Sequence, residues 1–295
     1  MSFSGSIVAL ITPFTKKGKL DEGALEALVE WHIQEKTDGI VCCGSTGEAC
    51  TLTRKERKRI TEICVQTAEG RIPIITGTGT CNTMETKALT EDAQKAGASA
   101  CLVVTPYYNK PTQLGCFEHF RSIAKVGLPM IAYHNPARAV FRFEIETIQR
   151  FEEIPQIVAI KESSHDLDFI QKIKSTTNLP ILGGEDDITY EILQLGGIGS
   201  ISVIGNLIPL GWRKMIHQKS KMLAKRYLPL CQANFFETNP QCVKYLLAQM
   251  GKCHPIFRLP LTNPSLLTQK KLDETMFKFV LPHFFKSQSL AEKLI

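Results

Sequence analysis

Lys161 closes the apolar run Ile157-Val158-Ala159-Ile160, and an amine so placed can do covalent chemistry. Such a run reads as a strand buried on both faces. Burial against an apolar wall disfavours the ammonium form and frees the amine to attack a carbonyl. Other reactive side chains follow similar runs. They are Gly44-Ser45-Thr46-Gly47-Glu48, Thr76-Gly77-Thr78-Gly79, Thr105-Pro106-Tyr107-Tyr108-Asn109, Tyr133 with Pro136 and Arg138, and Gly183-Gly184-Glu185-Asp186. Together they offer a nucleophile, phenols, small hydroxyls and a guanidinium. Singly, each has a plainer role. Lys161 could open a loop, Ser45 or Thr46 cap a helix, and Gly44 and Gly47 shape a turn. Tyr107 and Tyr108 could pack at a rim, Tyr133 fill a core layer, and Arg138 stand in solvent. Strand alternation turns Glu162 away from Lys161.

The elements that must position these groups alternate along the chain. Apolar runs fall at 7–11, 39–43, 72–75, 100–104, 129–133, 157–161, 180–182 and 200–203. Helix-period segments fall between them at 21–35, 53–69, 83–96, 116–124, 144–151, 167–174 and 188–195. Strand–helix units of this kind imply parallel strands with right-handed crossovers. Eight of them close a (β/α)8 TIM barrel, whose active site lies at the C-terminal strand ends. An open doubly wound sheet is the alternative, but no G-x-G-x-x-G follows the first strand, and Gly77-Thr78-Gly79 lacks the last glycine. The expected organisation is a barrel core over 1–208. The last barrel helix and a C-terminal helical extension, broken at Pro255, Pro260 and Pro264, then occupy 209–295.

Composition narrows the function classes. The 295 residues carry a formal net charge of +6. The densest basic cluster, Arg54 to Arg59, sits in one helix with no interleaved aromatic residue, which argues against nucleic acid. No apolar stretch approaches the ~20 residues that span a bilayer, and Met1 to Ser6 does not read as a signal peptide. Ten cysteines without a C-x-x-C pair read as reduced thiols of a cytoplasmic protein. The seven histidines show no H-E-x-x-H spacing, so no metal is expected.

Taken together, the motifs resemble the pyruvate-dependent class I aldolase/lyase superfamily, and within it the dihydrodipicolinate synthase family. The resemblance rests on Gly44-Ser45-Thr46-Gly47-Glu48, on Val103 to Pro111 with its Thr-Pro-Tyr-Tyr-Asn stretch, and on Tyr133 with Pro136 and Arg138. Ile160-Lys161-Glu162, Gln194 to Gly197, Asn239-Pro240 with Val243-Lys244, and Arg258-Leu259-Pro260 extend it. It implies a lyase in which Lys161 forms a Schiff base with pyruvate and Tyr133 shuttles protons. Ser45 would link Tyr133 to Tyr108, which reaches in from a neighbouring subunit. Ser45 and Thr46 would hold the pyruvate carboxylate, Arg138 would bind L-aspartate-4-semialdehyde, and Gly184 and Ile201 would line the pyruvate pocket. The implied assembly is a homotetramer of two tight dimers working in diaminopimelate and lysine biosynthesis, with no cofactor. Sialic acid lyases and 2-keto-3-deoxy sugar acid aldolases are the rival relatives, and a silent binding barrel is the rival of another class. Two departures stand out. Ala139-Val140 follows Arg138 where the family has Thr-Gly, and Ser164-His165 replaces Thr-Gly after the lysine motif. Valine resists a positive φ, so the loop after Arg138 is expected to differ from that of the relatives.

Overall fold

The computed structural model describes residues 3–280. Its strands are β1 (Gly5–Ala9), β2 (Gly39–Cys42), β3 (Ile74–Gly77), β4 (Ala100–Val104), β5 (Met130–His134), β6 (Ile157–Glu162), β7 (Ile181–Gly183) and β8 (Gly199–Ser202). They form a closed parallel barrel in sequence order. The ladder between β1 and β8, with Ile7 opposite Ile201, rules out the open sheet. Ile7, Val41, Ile75, Leu102, Ile131 and Leu182 fill the interior as one apolar cluster, a packed core of the kind such barrels need.

The first strand starts two residues before its apolar run and ends two residues before it. Leu10 and Ile11 instead join the outer core with Phe14. The Ile11 N–H turns to Asn206 Oδ1 at 3.2 Å, leaving the ladder.

Helix starts are set by short polar side chains. Asp21 caps Glu22–Gln34, and Asn82 caps Thr83–Lys95. Thr53 and Glu56 form a reciprocal capping box on Arg54–Ala68, satisfying two otherwise orphaned N–H groups. After β8, helix Pro209–Gln218 packs on β1. Lys221–Ala233, Gln241–Gln249 and Leu266–Val280 follow. Leu230, Val243, Leu246 and Leu272 are buried in the same cluster as Val8, Leu28 and Ile60. The extension therefore shares the barrel's outer core. Of the range expected to hold it, 281–295 lies outside the described residues, as do Met1 and Ser2. No helix among the described residues is long and apolar enough to cross a membrane.

Candidate active site

Lys161 and Tyr133 are register partners on β6 and β5, so strand alternation sends both side chains into the barrel mouth. Lys161 is buried, and its Nζ stands 4.2 Å from the centre of the Tyr133 ring. The next residue on each strand faces the other way. His134 Nδ1 donates to Glu162 Oε2 at 2.7 Å, and both side chains are fully buried. Glu162 thus turns from Lys161, as alternation requires, and its other oxygen accepts from Ser164 N at 2.7 Å, fixing the loop after β6. Gly184 closes the site from β7. A Cβ there would overlap Ser163 Oγ and come within 2.8 Å of Lys161 Cε, so only glycine leaves room for the lysine stem. Ile201 is fully buried in the interior cluster beneath.

The Ser45-Thr46 loop is tied down from the far end of the chain. Glu48 ends it at φ +54 and pairs with Lys244 Nζ at 2.5 Å, both side chains being fully buried. Glu48 Oε2 also accepts from Arg258 N at 3.2 Å. Lys244 and Arg258 lie 4.2 and 4.4 Å from the Phe14 ring centre, and burial pulls the Lys244 ammonium below its usual pKa. Ser45 is half-buried and Thr46 buried at the top of this loop.

Two asparagines that the sequence did not single out as site residues join the pieces. Asn239 Nδ2 donates to Thr46 Oγ1 at 3.0 Å, while its backbone oxygen accepts from Arg138 at 3.2 Å. Asn135 Oδ1 accepts from Arg138 N at 3.0 Å, and its Nδ2 donates to the Tyr133 hydroxyl at 2.9 Å. Tyr133, Arg138 and Thr46 are therefore one connected set. The available signals were the dipeptide Asn135-Pro136, which reads as turn chemistry, and Asn239-Pro240, which entered only as part of the resemblance with no role attached.

Beyond Gly184 lies an acidic stretch. Asp186 accepts from Val203 N and from Ile204 N, the latter at 2.6 Å, and burial raises its carboxyl to about 7. Burial also raises Glu185, opposed by the charges of Lys161 and His165. His165 Nε2 donates to Asp187 Oδ1 at 3.0 Å. Tyr108 stands apart from all of these, 91% exposed and at φ +71.

This arrangement matches known proteins over almost the whole chain. The model of the dihydrodipicolinate synthetase family matches residues 2–278. The chain belongs to this family. It is 44% identical to the 4-hydroxy-tetrahydrodipicolinate synthase of Thermodesulfovibrio yellowstonii, over 93% of this chain and 97% of the relative. The crystal structure of the Aquifex aeolicus dihydrodipicolinate synthase superposes with a TM-score of 0.93 at 40% identity, covering 95% of this chain and 99% of that one. The chloride-inhibited Acinetobacter baumannii enzyme, solved in complex with pyruvate, gives 0.92 at 38% identity, covering 94% and 99%.

Within the family the two departures have a common conformational basis. Val140 adopts φ +52 and caps the short helix Pro136–Ala139 with its N–H on Pro136 O. Valine thus takes the positive φ that it resists, and the reason given for a different loop after Arg138 does not hold. Asn135 Oδ1 accepts from Arg138 N at the start of this turn, the Asn239 backbone oxygen accepts from the Arg138 side chain, and Val140 takes a left-handed conformation that it disfavours. His165, the second residue of the other departure, likewise takes a positive φ, +56.

Proposed function

We propose that this protein is a 4-hydroxy-tetrahydrodipicolinate synthase, condensing pyruvate with L-aspartate-4-semialdehyde through an imine on Lys161. The observation that carries this reading is the buried lysine facing Tyr133 across adjacent strands at the barrel mouth. Nζ attacks the keto carbon of pyruvate, and loss of water gives the imine. Loss of a methyl proton then gives an enamine, whose terminal carbon attacks the aldehyde. Tyr133 moves protons in these steps, and the contact from Asn135 sets the direction of its hydroxyl. Ser45 and Thr46 hold the pyruvate carboxylate, with Gly184 and Ile201 as its walls. Arg138, steadied by Asn239, takes the carboxylate of the semialdehyde with its planar fork.

In this reading residues 1–208 carry the reacting groups. Residues 209–295 supply the last barrel helix and the clamp on the Gly44–Glu48 loop. Tyr108 completes the proton path of a neighbouring subunit, within a homotetramer of two tight dimers in the cytoplasm. Its exposure supports that role, since a ring so far out of its own fold is free to enter another site.

The test is pyruvate consumption against a panel of aldehydes. The expected outcome is turnover with L-aspartate-4-semialdehyde well above cleavage of N-acetylneuraminate or 2-keto-3-deoxy sugar acids. Faster cleavage of sialic acid would transfer the protein to the lyase branch. Arg138→Ala should lose turnover by a charge-assisted contact, roughly 1.5–3 kcal/mol, while still forming the pyruvate imine.

A further inference from the structure

One hydroxyl beside Lys161 is left without a partner. Ser163 directly follows the last residue of β6 and is buried. Its Oγ is shielded from solvent and makes no hydrogen bond. Buried hydroxyls are nearly always paired, so an orphan next to a reactive amine points to a ligand. Gly184 fixes where this hydroxyl stands. A Cβ built on that glycine would lie 1.9 Å from Ser163 Oγ and 2.8 Å from Lys161 Cε. The hydroxyl and the lysine stem therefore flank the same point, and the missing side chain at 184 leaves the space they share. Glu185 is close enough to feel the hydroxyl, but no hydrogen bond of ordinary geometry joins the two.

The backbone holds this serine in place. Ser163 N donates to His134 O at 2.9 Å, and Gly184 N donates to Glu162 O at 2.8 Å. On either side of it, Glu162 Oε1 accepts from Ser164 N, and the other Glu162 oxygen is held by His134. A donor fixed in advance costs no reorganisation when charge develops in front of it.

The substrate pose proposed above decides which oxygen it meets. The pyruvate carboxylate rests on the loop after β2, which lies opposite β6 in the eight-strand ring. The carboxylate and the methyl carbon leave the imine carbon in different directions. The methyl carbon is thus left on the near side, over β6 and its neighbours β5 and β7. The semialdehyde meets it there, with its carboxylate on Arg138 after β5 and its carbonyl oxygen toward Ser163 and Gly184.

We propose that Ser163 Oγ donates a hydrogen bond to the aldehyde oxygen of the second substrate and stabilises the negative charge that gathers on it as the new C–C bond forms. This rests on the imine chemistry proposed above. The enamine nitrogen lone pair drives the terminal carbon onto the aldehyde carbon. One C–C bond forms, the C=O π pair moves onto oxygen, and the nitrogen becomes an iminium. The proton that the methyl carbon gave up to Tyr133 is returned to this oxygen, which becomes the alcohol of the product. Ser163 keeps its own proton throughout.

The experiment separates the partial reactions. With pyruvate alone, borohydride traps the adduct on Lys161, and exchange of the pyruvate methyl hydrogens in D2O is followed by NMR. Condensation is then read in a single turnover, by mixing the pre-formed adduct with semialdehyde. In Ser163→Ala, trapping and exchange should stay within about two-fold of wild type, while condensation slows about a hundredfold, the size of one lost donor to a developing oxyanion. Ser163→Thr keeps the hydroxyl and should recover most of that loss. Condensation at the wild-type rate in Ser163→Ala would overturn the proposal. So would a loss shared equally by trapping and exchange, the mark of a serine that only supports the fold. Absence of the trapped adduct from the wild type would overturn the imine reading itself, so the two failures are distinguishable.

Discussion

At the scale of single residues the site is a set of committed hydrogen bonds, and Asn239 is the most exposed to a simple test. Its side chain serves Thr46 and its backbone serves Arg138. Asn239→Ala removes the first contact and leaves the Thr46 hydroxyl free to rotate. A lost hydrogen bond of this type costs roughly 1 kcal/mol. The expected outcome is a KM for pyruvate raised about five-fold, with kcat less affected, read from initial rates at saturating semialdehyde. The reactive groups themselves were legible in the sequence, because the Lys161 and Tyr133 strands announce themselves as apolar runs and alternation then fixes their direction. Asn135 and Asn239 were not legible as site residues. Their work depends on which side chains the barrel brings within 3.2 Å, and Asn239 lies 101 positions from Arg138.

At the scale of elements, the barrel was read almost completely, since each strand is an apolar run and several helices start at a capping side chain, such as Asp21, Thr53 and Asn82. What escaped were conformations imposed from outside the element. Val140 and His165 sit in the left-handed region, which no local preference of valine or histidine reports. The same holds for Glu48, which the sequence presents as part of a loop motif. The structure makes it a buried anion neutralised by Lys244. Lys244→Met would leave that carboxylate unpaired in the core, an event that costs about 3–5 kcal/mol. A urea unfolding midpoint lowered to that extent is expected, and an unchanged midpoint would show that Glu48 protonates or finds water. A second link, Arg258 to Glu56, is 2.6 Å long and holds the Glu56 carboxyl at about 2. Because this value is depressed, the stabilisation is complete above the unfolded carboxylate pKa. It disappears as pH falls through about 2. Glu56→Gln should therefore cost on the order of 2 kcal/mol at pH 7 and nothing below that window, measured as unfolding free energy against pH.

At the scale of the molecule, Tyr108 is the residue that its own fold leaves out. A phenol 91% exposed, next to half-buried Tyr107, gains nothing from its present position. In the assembly proposed above it completes a neighbouring subunit's site, and complementation tests that proposal. Tyr108→Phe and Lys161→Ala variants, each inactive alone, should recover activity when mixed under conditions that exchange subunits. A mixed dimer holds one site with both groups intact. A wild-type monomer with full activity would contradict this assembly.

The central claim is covalent, and borohydride reduction in the presence of pyruvate tests it most directly. An imine is reduced to a stable secondary amine, so the wild-type protein should retain one pyruvate-derived adduct. Peptide mass spectrometry should place it on Lys161, and Lys161→Ala should show none. An unmodified chain, or an adduct on a different lysine, would contradict the account.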